Sequence, residues 1–361
     1  MRDTTLPQHT HKTYVIWLGL VWAGLCLAVL AINSMVDPLW HFQGNKLTGK
    51  NFAFNERQAK INQLLSDPKK YDCLIFGSSR ATLLPPDGLL PHRCFNFSFS
   101  GGQVEEFIAF ATYLAQRGIR PSLIIVGVDG FNFLASGRDP SSIPDYIFKK
   151  EKPPGFLKDY LSIDSLRMSW RTLSNDSPLP RYYDAQFVAQ VKSDAPHFQP
   201  NRSLEGEGLR RADANQRRKR TYTSKVSASY QKLSRVFPGA KTIAYVPPIS
   251  AWHISEMKRN GVLDGYLHAL HTTATRLPVF IDFSIPSPIT WNTDNTYDGS
   301  HYLPQVNRTI AKALLAREPL EWGVAPKSWD FEAYREHYQT ALKQFQQSNA
   351  VNRSRPPNSS P

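Results

Sequence analysis

Cysteine is scarce in this sequence, with three in 361 residues. Cys26 lies in an apolar run, which leaves Cys73 and Cys94 for the globular part, and no zinc-ligand spacing is present. Cys73 falls in an apolar stretch, where a buried free thiol is the ordinary reading. A Cys73 to Cys94 disulfide would suit an oxidising compartment, but the spacing does not demand one. The sequence has no internal repeat and no nucleic-acid-binding motif, and nothing in it calls for a metal ion or a cofactor. Long apolar runs are missing too, with one exception.

From Tyr14 to Ile32 no residue is charged. About 20 residues rising about 1.5 Å each cross a hydrocarbon core of roughly 30 Å, so this run predicts a transmembrane helix. Tyr14, Trp17 and Trp22 in its first half and Trp40 beyond it resemble interfacial aromatic anchors. The run ends in Asn33-Ser34-Met35-Val36-Asp37-Pro38, without a small-x-small cleavage site, which favours an uncleaved anchor over a signal peptide. Arg2 and Lys12 precede the helix, and no Lys or Arg follows it until Lys46. The positive-inside rule therefore predicts residues 1–13 in the cytoplasm, residues 14–32 in the membrane and the main domain outside.

The formal net charge of +13 is concentrated in Arg210, Arg211, Arg217, Arg218, Lys219 and Arg220. Such a run is ordinarily a solvated helix face or loop. The sharper reading is a surface that gathers anionic lipid headgroups or an acidic polysaccharide. An extracytoplasmic domain argues against nucleic acid as the partner.

Beyond the anchor, short buried strands read at Asp72–Phe76, Cys94–Phe97, Ser122–Val128, Thr242–Val246 and Val279–Phe283. Helices read at Asn55–Leu65, Gln103–Arg117, Tyr266–Arg276, Val306–Arg317 and Phe331–Phe345, with another ending near Phe237. Strands alternating with helices predict an α/β domain over 41–345, with a parallel sheet and active groups at the strand carboxyl ends. A proline- and aromatic-rich stretch within an insertion of about 135–240 reads as a cap over those ends. The composition of residues 346–361 predicts a disordered tail.

The chemistry lies in two short motifs. An apolar strand runs into Gly77-Ser78-Ser79-Arg80, and Asp298-Gly299-Ser300-His301 follows the last strand. A serine on a tight turn, with a distant histidine and its own carboxylate, is equipment for acyl transfer through a serine nucleophile. Ser79 would attack, His301 would take and return its proton, and Asp298 would orient the ring.

Strand-Gly-x-Ser, the later turn Asn96-Phe97-Ser98-Phe99-Ser100-Gly101-Gly102 and the Asp-x-x-His spacing together resemble the SGNH (GDSL-like) hydrolase superfamily. With the anchor, they resemble its membrane-bound branch, which includes the teichoic-acid D-alanyl transfer protein and the alginate O-acetylation proteins. The likeness covers roughly residues 70–133 and 240–315. It implies a three-layer, flavodoxin-like sandwich on a central parallel sheet. It also implies an oxyanion hole using the Ser79 and Gly101 N–H groups and an asparagine.

That asparagine falls at Asp129, which as a carboxylate accepts rather than donates. Either Asp129 has another task, such as positioning Arg80 or binding a substrate amine or hydroxyl, or Asn132 serves instead, or the catalyst is weakened. Arg80 reads first as an ion-pair partner of Asp129, and Asn96 as a turn stabiliser. Pro247-Pro248-Ile249-Ser250-Ala251-Trp252-His253 should line the cleft, where Trp252 would stack on a sugar or simply pack.

The resulting expectation is a single-pass inner-membrane protein with a periplasmic domain. It would be an esterase or acyltransferase acting on a cell-envelope glycan with an acyl donor, or a non-catalytic partner of a membrane acyltransferase.

Overall fold

A computed structural model describes residues 8–135, 143–200 and 221–354. The basic run from Arg210 to Arg220 lies outside the described residues. The strands are β1 (Asn51–Phe52), β2 (Cys73–Phe76), β3 (Cys94–Asn96), β4 (Leu123–Gly127), β5 (Arg181–Tyr183), β6 (Ala189–Val191), β7 (Lys241–Val246) and β8 (Val279–Asp282). Contacts divide the chain into two compact units.

The first unit comprises Met1–Ser66 and Lys152–Phe187. Its helix Gln8–Val36 contains a candidate membrane span, His11–Val36, with mean hydropathy 2.5 and its apolar side chains exposed as far as Leu27. The end of that helix is docked by polar contacts. Asn33 Nδ2 donates to the Tyr160 carbonyl at 2.8 Å, and Ser169 Oγ donates to Asn33 Oδ1 at 2.7 Å. Asp37 adopts a positive φ of 49° and accepts from the His41 and Phe42 N–H groups at 2.8 and 2.9 Å and from the Tyr160 hydroxyl. Burial nevertheless outweighs these hydrogen bonds and pushes the Asp37 carboxyl up.

Strands β1 and β5 pair antiparallel, Asn51 opposite Tyr183. Beside them a buried Glu56–Arg181 ion pair (3.1 Å) adjoins Lys60, whose ammonium lies 4.8 Å from the Tyr183 ring centre. Burial lowers the Lys60 ammonium to about 7, against the pull of Glu56.

The second unit comprises Asp67–Glu151 and Val188–Pro361, and its centre is a five-stranded parallel sheet flanked by helices, in the order β3-β2-β4-β7-β8. The strands are short and almost wholly buried beneath the flanking helices, which is why they read as continuous apolar runs. Cys73 and Ile75 join Ile125, Ile243 and Ile281 in a core packed by Val306, Ile310 and Leu314 of helix Pro304–Ala316. On the alternate parity, Phe76 meets Phe107 of helix Val104–Gln116 with ring centres 6.2 Å apart. Since β2 lies between β3 and β4, the winding direction reverses at β2 and β4. In sheets wound this way, ligands bind in the crevice at the strand carboxyl ends where the direction changes.

The structure departs from the sequence reading in three places. Cys73 is not a free thiol: it opposes Cys94 in the β2–β3 register and forms a disulfide with it. The expected cap is divided, with residues 152–187 folding into the unit of the N-terminal helix and the described residues 143–151, 188–200 and 221–240 belonging to the unit of the sheet. The last helix, Phe331–Ser354, continues past Gln346, where the composition predicted a disordered tail. It is anchored because Tyr334 and Tyr338 donate to Asp282 Oδ2 at 2.6 and 2.7 Å, at the end of β8.

Candidate active site

Gly77 ends β2 where no side chain fits: a Cβ there would lie 2.6 Å from the Ala81 Cβ, and one at Gly127 would lie 3.0 Å from it. These two glycines let the turn carrying Ser78 and Ser79 drop between β2 and β4. Ser79 opens a short 3₁₀ turn, Ser79–Ala81, and its hydroxyl is half-buried. Asn96 holds that turn from the next strand, its amide donating to the carbonyls of Ala81, Thr82 and Leu84 at 2.9, 3.2 and 3.0 Å. This is the stabilising role read from the sequence.

Asp129 follows β4 and is fully buried. Arg80 Nε lies 2.5 Å from its Oδ1, and the Ser78 N–H donates to its Oδ2 at 3.3 Å. Burial works against the Arg80 charge, but Asp129 outweighs it and holds the guanidinium above its ordinary value. Asp129 therefore has the ion-pair role, and its carboxylate is spent on Arg80.

Asn132 lies one turn further on. Its Oδ1 accepts from the Val104 N–H at 3.1 Å, which fixes the amide orientation and leaves Nδ2 buried with no partner among the described residues. The N–H groups of Ser79 and Gly101 likewise make no hydrogen bond among the described residues. Gly101 has φ +63° with open space around it, so a turn that only glycine adopts readily presents its N–H freely.

The Asp298–His301 loop is built around Thr296. The Thr296 hydroxyl donates to the His301 carbonyl at 2.8 Å and accepts from the Gly299 N–H at 3.0 Å. Asp298 Oδ1 accepts from the N–H groups of Ser300 and His301 at 2.9 and 2.8 Å. Its Oδ2 accepts from His301 Nδ1 at 2.6 Å. Burial raises the Asp298 carboxyl, but the hydrogen bonds and charge of His301 more than offset this and leave it below its ordinary value. With Nδ1–H committed to the carboxylate, the neutral ring carries its lone pair on Nε2. That nitrogen is buried and has no hydrogen-bond partner among the described residues, while Tyr297 stacks on the ring, centres 5.3 Å apart and planes 2° from parallel.

One cavity of about 400 Å³ is lined by Ser78, Ser79, Gly101, His253, Tyr266 and Ser300, among others. It brings the Ser79 turn, the second glycine turn and the Asp298–His301 loop together. His301 and Asn132 are not among its lining residues, although their neighbours Ser300 and Phe131 are. No hydrogen bond joins Ser79 to His301.

Trp252 packs edge-on against Phe345 and Phe198, centres 4.9 and 5.9 Å apart, and it is the next residue, His253, that reaches the cavity. His253 belongs to the segment read as lining the cleft but was given no role of its own, and Tyr222 and Tyr266 were given none either. Only the first had a signal, as the third residue after Ser250, which caps helix Ala251–Arg259 by accepting from the His253 N–H at 3.4 Å. No group of three or more metal-ligating side chains occurs among the described residues. Comparisons with family models, with curated proteins and with solved structures return no match to this chain.

Proposed function

We propose that this chain is a membrane-anchored, extracytoplasmic serine esterase or O-acyltransferase of the SGNH type, built on a three-layer sandwich and acting on a cell-envelope glycan. The observation that carries the reading is the Asp298–His301 pair: a carboxylate fixes the imidazole tautomer and leaves an unpartnered Nε2, and the adjoining Ser300 lines the cavity that holds Ser79. In this reading Ser79 Oγ attacks an acyl carbonyl, His301 Nε2 takes its proton, and the N–H groups of Ser79 and Gly101 with Asn132 Nδ2 receive the oxyanion. Asn132 thus takes the place that Asp129 cannot fill. The Cys73–Cys94 disulfide and the charge flanks of the helix support a main domain outside the cytoplasm.

The full chain in detergent should label with a fluorophosphonate at Ser79 and hydrolyse p-nitrophenyl acetate, and Ser79→Ala should lower turnover roughly 10³-fold or more. Folded protein that does neither with any of a panel of acyl donors would sink the enzyme reading. The missing Ser79–His301 hydrogen bond favours a second reading, a non-catalytic glycan-binding partner of a membrane acyltransferase. Apo sites often tighten only with substrate bound, so the first reading stands ahead of it. If cells carrying Ser79→Ala keep full glycan acylation while deletion of the gene abolishes it, the second reading wins.

A further inference from the structure

The cavity that holds Ser79 contains an imidazole that the triad does not use. His253 Nδ1 lies 3.2 Å from the Gly299 carbonyl oxygen and 3.1 Å from Ser250 Oγ. A carbonyl only accepts, so the arrangement that satisfies both contacts places the proton on Nδ1. The same carbonyl also accepts from the Ser250 N–H at 2.9 Å, which stitches the start of helix Ala251–Arg259 to the Asp298–His301 loop. A Cβ at Gly299, where φ is +80°, would meet His253 Cε1 at 3.0 Å and the Phe198 ring at 2.6 Å, so the imidazole is held tightly along this edge.

The opposite nitrogen is in a different position. His253 Nε2 makes no hydrogen bond among the described residues, and it stays open to solvent, since it is not one of the sealed polar atoms that lack a partner. With Nδ1 protonated, Nε2 is a neutral acceptor on a ring that lines the cavity. The cavity therefore pairs N–H donors at Ser79 and Gly101 with an acceptor at His253. The acyl carbonyl of an ester has no hydrogen to give to that acceptor, whereas a polyol does.

We infer that His253 is a substrate-positioning residue that accepts a hydrogen bond from a hydroxyl of a sugar acceptor and so favours acyl transfer to that sugar over transfer to water. This rests on the acyl-serine reading above. In the transfer step, one acceptor hydroxyl oxygen attacks the acyl carbon and the bond from that carbon to Ser79 Oγ breaks. The proton of the attacking hydroxyl goes to His301 Nε2 and on to Ser79 Oγ. A second hydroxyl, held by His253, keeps its proton throughout.

The experiment measures the partition between transfer and hydrolysis. Full-length protein in detergent is given p-nitrophenyl acetate with glycerol or cellobiose, and acetylated acceptor is measured against free acetate. His253→Asn can keep an N–H toward Gly299 while removing the ε acceptor, and His253→Gln places an amide near the ε position. The ratio of transfer to hydrolysis should fall about fivefold or more in His253→Asn, the worth of one hydrogen bond, and recover in part in His253→Gln. A wild-type ratio in His253→Asn overturns the inference. So does a wild-type protein that labels at Ser79 and hydrolyses the ester yet acetylates neither acceptor. Wild-type protein that does not label at Ser79 overturns the acyl-serine reading itself.

Discussion

Asp129 and Asp298 both follow strands of the parallel sheet, and each is paired with a cation-forming side chain, but the pairs do different things. Asp129 is fully buried against Arg80, a group that keeps its proton at any ordinary pH. Asp298 is 39% exposed and paired with His301, a group that can give its proton up. The first pair is a strut beneath the turn that carries Ser79, since Asp129 also accepts from the Ser78 N–H. The second can move a proton. A carboxylate on the sheet's connecting loops therefore says little until its partner is known, and here the partner separates a fixed ion pair from one that can exchange a proton.

The comparison predicts opposite phenotypes. Asp298→Asn should leave the fold intact and lower kcat by about 10⁴, because an amide no longer enforces the tautomer that puts the lone pair on Nε2. Asp129→Ala should instead cost about 3–5 kcal/mol of stability by leaving the Arg80 charge buried and unpaired. Urea melts should show most of that loss restored when Arg80→Met is combined with Asp129→Leu. If Asp129→Ala were fully stable and inactive, the distinction would collapse.

The smallest expected effect concerns pH. The Asp298 carboxyl is held below its ordinary value in the folded protein, so the unfolded chain binds the extra proton first as the solution is acidified. Its stabilisation is complete above the ordinary carboxyl range near 4 and is lost as pH falls through the depressed folded value. The difference in urea midpoint between wild type and Asp298→Asn should therefore be small at pH 6, since solvent screens the exposed carboxylate, and should close on acidification. A difference that widened toward low pH would contradict the pairing.

Much of this site was legible in the sequence because its cues are local. The strand run into Gly77 and Ser79, the three-residue step from Asp298 to His301 and the Asn96 turn each depend on neighbours in the chain. The five strands of the sheet were readable for the same reason, as short apolar runs bounded by turn residues. What escaped depends on pairing at a distance. Residues 152–187 looked like a cap because nothing local shows that Tyr160 and Ser169 bind Asn33 and Asp37 more than 100 positions earlier. The extension of the last helix to Ser354 was hidden because the residues from Gln346 on are mostly polar and carry no apolar periodicity to mark a helix. His253 lay in the segment read as lining the cleft, but its orientation was hidden because its partner is a backbone carbonyl, which carries no sequence signal.

The Cys73–Cys94 bond has a consequence for how the edge of the sheet is held. It joins the amino end of β2 to β3, an edge strand of three residues. From there the pairing continues toward the opposite end, with the Phe97 N–H donating to the Ile75 carbonyl at 2.8 Å and the Phe99 N–H to the Gly77 carbonyl at 3.0 Å. The covalent tie thus closes one end of a ladder whose other end sets the Ser79 turn beside the Gly101 turn. An edge strand this short has few hydrogen bonds with which to hold its place, and the disulfide adds a covalent tie to them. Without that bond β3 keeps only its short ladder, and the spacing of the Ser79 and Gly101 turns then rests on those few hydrogen bonds.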